Sequence, residues 1–174
     1  MKAYRYYFLT IVLSLFSGTE CHAGDDLAAE YQKLQVKLKQ QTNPVGKTKV
    51  LIKMSDIDLK EATQHARKGN LLEADQFLLR YVDVVRQAGT VLKTSQRNAQ
   101  KNPAGFREFE IALHHQLRKL NDLEDNIPYD QQQAIEKAKE TARIAQQEML
   151  LAIFGADNLR PPPEQRPVEP KRTR

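Results

Sequence analysis

Glu110, His114 and His115 are the residues of this chain whose types and spacing best suit chemistry. Glu110 and His114 stand four apart, so a helix would present them on one face as two ligands for a transition metal. Zinc needs at least a third protein ligand, and the nearest further histidine, His65, belongs to a different expected helix. No H-E-x-x-H sequence is present, and the same spacing suits an ordinary exposed helix pair. Two carboxylate groups, Asp56, Asp58 and Glu61, then Asp122, Glu124 and Asp125, could do acid–base work only inside a pocket that shifts a pKa. The sequence offers no glycine-rich turn or strand end to build such a pocket, so these carboxylates are expected on solvated helix faces. There is no G-x-S-x-G, and the single cysteine, Cys21, falls in a segment expected to be removed. No catalytic, cofactor or metal residues are assigned. A metal-dependent or hydrolytic enzyme using Glu110, His114 and His115 is kept as the rival reading.

Residues suited to binding are few. Beyond the first 23 residues the aromatic side chains are Tyr31, Phe77, Tyr81, Phe106, Phe109, Tyr129 and Phe154. That supply is too thin for a stacking platform, and no nucleic acid is expected as a partner. Tyr31, Phe77, Tyr81, Phe106 and Phe109 are the candidate anchors for a protein partner wherever they escape the core. A second candidate contact is the C-terminal segment 159–174, which includes "RPPPEQRPVEPKRTR". Arg160, Arg166, Lys171, Arg172 and Arg174 give it five cations against two acids. It has no apolar pattern, and its prolines favour an extended, disordered tail. Peripheral contact with an anionic surface is what such a tail could offer.

The elements that must position these side chains are all helical by pattern. Leu27, Tyr31, Leu34 and Leu38 step by four, three and four, which predicts a first helix over about 25–41. Asn43 as a cap and Pro44 in the first turn open a second helix over about 45–68. Its buried stripe is Leu51, Met54, Ile57 or Asp58, Ala62 and Ala66, and Gly69 closes it. Asn70 and Glu73 make a capping-box-like pair at the start of a third helix. Its stripe runs from Ala74 through Phe77, Tyr81 and Val85 to Leu92, with an end expected near Gln100 and Gly89 as the interior position that least favours a straight course. After Asn102-Pro103, Phe106 to Leu123 predict a fourth helix reaching about Asn126. The fifth is expected from about Asp130, with Gln133 as its capping partner and Ile135, Ala138, Ala142, Ala145, Met149 and Ile153 inside. Short loops predict that consecutive helices are antiparallel neighbours. The expected fold is all-α, an antiparallel bundle of four to five helices over 24–158.

At 174 residues, 40% hydrophobic and 28% charged, one such bundle is a sufficient account of the chain. Residues 1–23 read as an export signal. Lys2 and Arg5 are followed by the apolar run Phe8–Phe16, and Cys21 and Ala23 satisfy a signal-peptidase site before a cut after Ala23. The run is far short of the roughly 20 residues of a membrane span, so a retained anchor is the weaker alternative. Removing the leader leaves 25 basic and 21 acidic residues, net +4, of which +3 sits in the tail. The helical part is thus almost neutral.

Two resemblances rest on the second and third helices. The run Ala62, Gly69-Asn70, Ala74 and Leu78 resembles a single tetratricopeptide helical hairpin, in which a Gly turn precedes an Ala packed between helices. Over about 30–92, Asn43-Pro44, Lys47, Leu51, Leu59, Ala62, Gly69, Ala74, Leu78-Leu79 and Tyr81 are similar to exported bacterial helical domains of unknown function. The likeness implies a helical fold and a secreted setting, and carries over no catalytic or binding residue. The resulting expectation is an exported, periplasmic or extracellular, non-enzymatic binding or scaffolding module of the bacterial cell envelope. Its partner would be a protein or envelope component; a self-associating structural protein is the remaining alternative.

Overall fold

The computed structural model describes residues 23–155. Residues 1–22, all but the last of the segment read as an export signal, and residues 156–174, with Arg160, Arg166, Lys171, Arg172 and Arg174, lie outside the described residues. Within them the fold is all-α: five helices, α1 (Ala23–Gln40), α2 (Pro44–Arg67), α3 (Leu71–Thr94), α4 (Phe106–Glu124) and α5 (Gln133–Phe154). A 3-10 turn, Tyr129–Gln131, precedes the last. No described helix is long and apolar enough to cross a membrane.

Local chemistry explains most of the boundaries. Asn43 Oδ1 accepts the Val45 N–H at 3.0 Å, and Pro44 occupies the first turn, where a missing N–H removes no helical bond. Asn43→Ala is expected to lower stability by about 1 kcal/mol in urea unfolding, the usual worth of such a cap. At the other end of α2, Gly69 adopts φ 77°, and the Asn70 N–H reaches back to the His65 carbonyl at 2.9 Å. A side chain there would be strained, which is why glycine closes this helix.

Three expected boundaries need correction. Asn70 stands at the start of α3 but makes no side-chain capping bond. Helix α3 runs unbroken past Gly89 and stops at Thr94, short of Gln100. Ser95 Oγ donates to the Leu92 carbonyl, and Gln96 turns into the left-handed region at φ 55°, so the local hydroxyl bond and the reversed backbone end the helix. Helix α5 starts at Gln133, later than expected, and the capping role given to Gln133 is not taken up. Gln132 spends its amide on the Ile127 carbonyl at 2.9 Å, closing the turn after α4.

Helices α1 and α2, α2 and α3, and α4 and α5 are antiparallel neighbours, as the short loops predict. Helices α3 and α4 are not side by side. Residues 95–105 form a connection long enough to cross the end of the bundle, so the α2/α3 hairpin lies beside the α4/α5 hairpin. This places α2 along α4 and α3 along α5, each pair parallel. Lys49 meets Glu108 at 3.6 Å and Asp56 meets Lys119 at 3.2 Å, while Lys93 joins Glu148. The consecutive pair α3 and α4 face each other across the bundle's diagonal, where the Tyr81 hydroxyl donates to Gln116 Oε1 at 3.2 Å. Helix α1 packs on the outer side of α2.

The core follows from this arrangement. Helix α2 touches α1, α3 and α4, so its buried face is broad: Val50, Leu51, Met54, Ile57, Leu59, Ala62 and Ala66 are all inside. Helix α5 buries Ala138, Ala142 and Ala145, small residues that let it approach both α3 and α4. Gly105, at φ 90°, sits where an added Cβ would meet Leu92 Cδ2 at 3.1 Å and Val45 Cγ2 at 3.2 Å. The crossing connection passes that close to the bundle end, and the Glu108 carboxylate accepts the Gly105 N–H to begin α4.

Candidate functional site

Of the five candidate aromatic anchors, three belong to the core. Tyr81, Phe106 and Phe109 are buried, because the α3 and α4 stripes that carry them point into the four-helix centre. They are corrected from partner contacts to core residues. Tyr31 on α1 and Phe77 on α3 are half-buried, and both pack against one side chain, Arg80. Its guanidinium lies 4.1 Å from the Tyr31 ring centre and 5.0 Å from that of Phe77. Arginine suits this position because its flat, weakly hydrated cation stacks on aromatic faces.

Arg80 Nη2 also approaches Asp58 Oδ1 at 2.9 Å, as an ion pair lacking the alignment of a hydrogen bond. The Asp58 side chain is fully buried and Glu61 nearly so, which corrects the expectation that these acids lie on a solvated face. The covering element is α1, which closes over this side of α2. Burial pushes the Asp58 carboxyl up to about 7, against the opposing influence of the Arg80 charge and the Tyr31 hydroxyl, with the Glu61 charge adding to the rise. Burial, then the Asp58 charge, raise the Tyr31 phenol in turn. The cluster continues to His65, which stacks on Phe77 with ring centres 5.2 Å apart and lies 3.9 Å from Glu61. These residues tie α1, α2 and α3 together around a buried acid.

Glu110, His114 and His115 do not converge. Glu110 accepts a hydrogen bond from Gln146 Nε2 of α5 at 3.0 Å. The two histidines are exposed and set edge to face, 5.9 Å apart. Among the described residues no three His, Cys, Asp or Glu side chains are grouped as a metal would require.

A groove of about 740 Å³ lies between α1 and α4, floored by α2. Its apolar floor is Leu27, Ile57, Leu59 and Leu123. Along α2 stand Lys53, Lys60 and Arg67, all exposed and seven residues apart. Lys119 on the α4 rim is held by Asp56, while Glu30 and Asp122 add acidic points.

The chain matches no protein-family model, no curated protein and no solved structure. The functional reading therefore rests on this geometry and on the sequence.

Two features of the site escaped the sequence pattern. Asp58 was visible as a polar residue within the α2 stripe, but its partner Arg80 sits between Leu79 and Tyr81 with nothing local to mark it. The row Lys53, Lys60 and Arg67 is a seven-residue recurrence legible in the sequence. It acquires meaning only once α1 and α4 are seen to wall it in.

Proposed function

We propose that this chain is a non-enzymatic helical binding module of the bacterial cell envelope that receives a partner in the α1/α2/α4 groove. The observation that carries the reading is the groove itself, with an apolar floor and a row of three exposed cations. Its volume lies within the range of ligand sites, about 300–1,000 Å³. The envelope setting is inferred from the leader-like first 23 residues. The half-buried Tyr31 and Phe77 brace α1, one wall of the groove, through Arg80.

The test is a photo-crosslinking amino acid placed at Lys60, compared with one at Lys137 on α5, outside the groove lining, in intact cells. Adducts of discrete mass are expected from position 60 and not from 137. Equal labelling at both positions, or none at 60, would remove the groove from the functional account.

A further inference from the structure

We infer that the occupant of the groove is an acidic amphipathic helix of a partner protein, about four turns long, laid along α2. The inference rests on the binding-module reading above and adds the chemistry of the partner.

Lys53, Lys60 and Arg67 span about 21 Å of α2 at 1.5 Å per residue, with one cation every seven residues, or two turns. None of the three makes an ion pair among the described residues. The neighbouring Lys119 is already held by Asp56 at 3.2 Å, and Glu30 and Asp122 are the other charges on the lining. The groove is flanked by α1 and α4 and floored by α2 along the row from Lys53 to Arg67, so an added helix would lie beside two helices and over a third. Leu27, Ile57 and Leu123 show only their edges at its bottom, and the aliphatic stems of the three cations extend that apolar strip. An incoming helix would set small apolar side chains on the strip and acidic ones, recurring every two turns, against the α2 row. Flanking charges select partners in paired helices in the same way. The chain's own residues 160–174 are the wrong sign for this role, with five cations against two acids. Because the apolar area is small, charge must dominate, so binding should be strongly salt-sensitive.

The experiment uses the full chain and a labelled synthetic 16-residue amphipathic helix with glutamates at seven-residue intervals. Fluorescence anisotropy is expected to show saturable binding that weakens at least about tenfold between low and high salt. A variant with Lys53→Glu, Lys60→Glu and Arg67→Glu together should bind at least about tenfold more weakly, with its melting curve unchanged, since all three side chains are exposed. Three results would overturn the inference. One is equal binding by that variant. Another is competition by unstructured polyglutamate, or by vesicles of anionic lipid, as effective as the helix itself. The third is a sedimentation shift showing that the groove is filled by a second copy of the chain. Crosslinking from position 60 with no binding of the acidic helix would sink this partner while leaving the groove reading in place.

Discussion

Arg80→Met should destabilise the protein by about 3 kcal/mol at pH 8 and by only about 1 kcal/mol at pH 5. The difference comes from Asp58. Its carboxyl is buried, with both oxygens lacking an aligned hydrogen bond, and Arg80 supplies the opposing charge at 2.9 Å. At pH 8 the acid is ionised, and removing the guanidinium leaves a buried charge uncompensated. At pH 5 the acid holds its proton, and the loss reduces to the stacking of Arg80 on Tyr31 and Phe77. Urea unfolding at the two pH values measures both numbers. Adding Asp58→Asn to Arg80→Met should recover most of the loss at pH 8. A loss of the same size at both pH values would mean that the charge on Asp58 is irrelevant.

The same carboxyl sets a pH dependence in the unaltered chain. Asp58 is raised from its ordinary 3.8 to about 7 on folding, so the folded form binds the proton more tightly than the unfolded form. The associated stability is fully present below about pH 4 and is lost as pH rises through about 7. At 1.36 kcal/mol per unit the full shift would be worth about 4 kcal/mol. Relaxation of the site around the charged carboxylate reduces the effective desolvation penalty, and a loss of about 2 kcal/mol between pH 4 and pH 8 is the expected size. Asp75, raised by burial, acts in the same direction. Glu108 acts in the opposite one. Burial would raise its carboxyl, but the Gly105 N–H and Lys49 outweigh that and lower it, so its share is lost on acidification. Comparing Asp58→Asn with the parent chain isolates Asp58, because only its own slope disappears.

How far the sequence reached depended on the range of the interaction. The five helices were legible because each carries its own stripe, and because Asn43-Pro44 and Gly69 act within a few residues of themselves. The diagonal placement of α3 and α4 was not. It depends on where Thr94 gives way to Ser95 and Gln96, because that stop leaves residues 95–105 to cross the bundle end. The candidate site divided along the same line. Tyr81, Phe106 and Phe109 looked like Tyr31 and Phe77 in the sequence, since an aromatic side chain on a helical stripe says nothing about how many neighbours its helix has. Helix α1 has one principal partner and leaves Tyr31 half-covered, whereas α4 is held by both α2 and α5 and buries Phe109. Asp58 became a buried acid only because α1 closes over α2. That contact joins residues too far apart for any local pattern to reveal.

Gln116→Ala is the second substitution with a large expected cost, about 3 kcal/mol, and it tests the diagonal directly. Gln116 is 1% exposed at the centre of the bundle. Its Oε1 accepts from the Tyr81 hydroxyl at 3.2 Å, and its Nε2 donates to Ser55 Oγ at 2.8 Å and Asp56 Oδ1 at 3.3 Å. One amide thus bonds to α2 and α3 from α4, and it satisfies a phenol whose ionisation burial strongly disfavours. Alanine there opens a void and strands the Tyr81 hydroxyl in an apolar centre, where an unmade bond costs about 1–3 kcal/mol. Tyr81→Phe alone should cost about 1–2 kcal/mol, since it strands the amide oxygen instead. Combining Gln116→Leu with Tyr81→Phe removes both ends of the bond while keeping the volume, and should cost about 1 kcal/mol, less than Gln116→Ala alone. Ser55 would keep its bond to the Ile52 carbonyl at 2.8 Å in either case. A double-mutant cycle of Gln116→Leu and Tyr81→Phe by urea unfolding should give a coupling of about 1 kcal/mol or more. Strict additivity would mean that Tyr81 and Gln116 do not meet across the core, and with that the side-by-side placement of the two hairpins would fall.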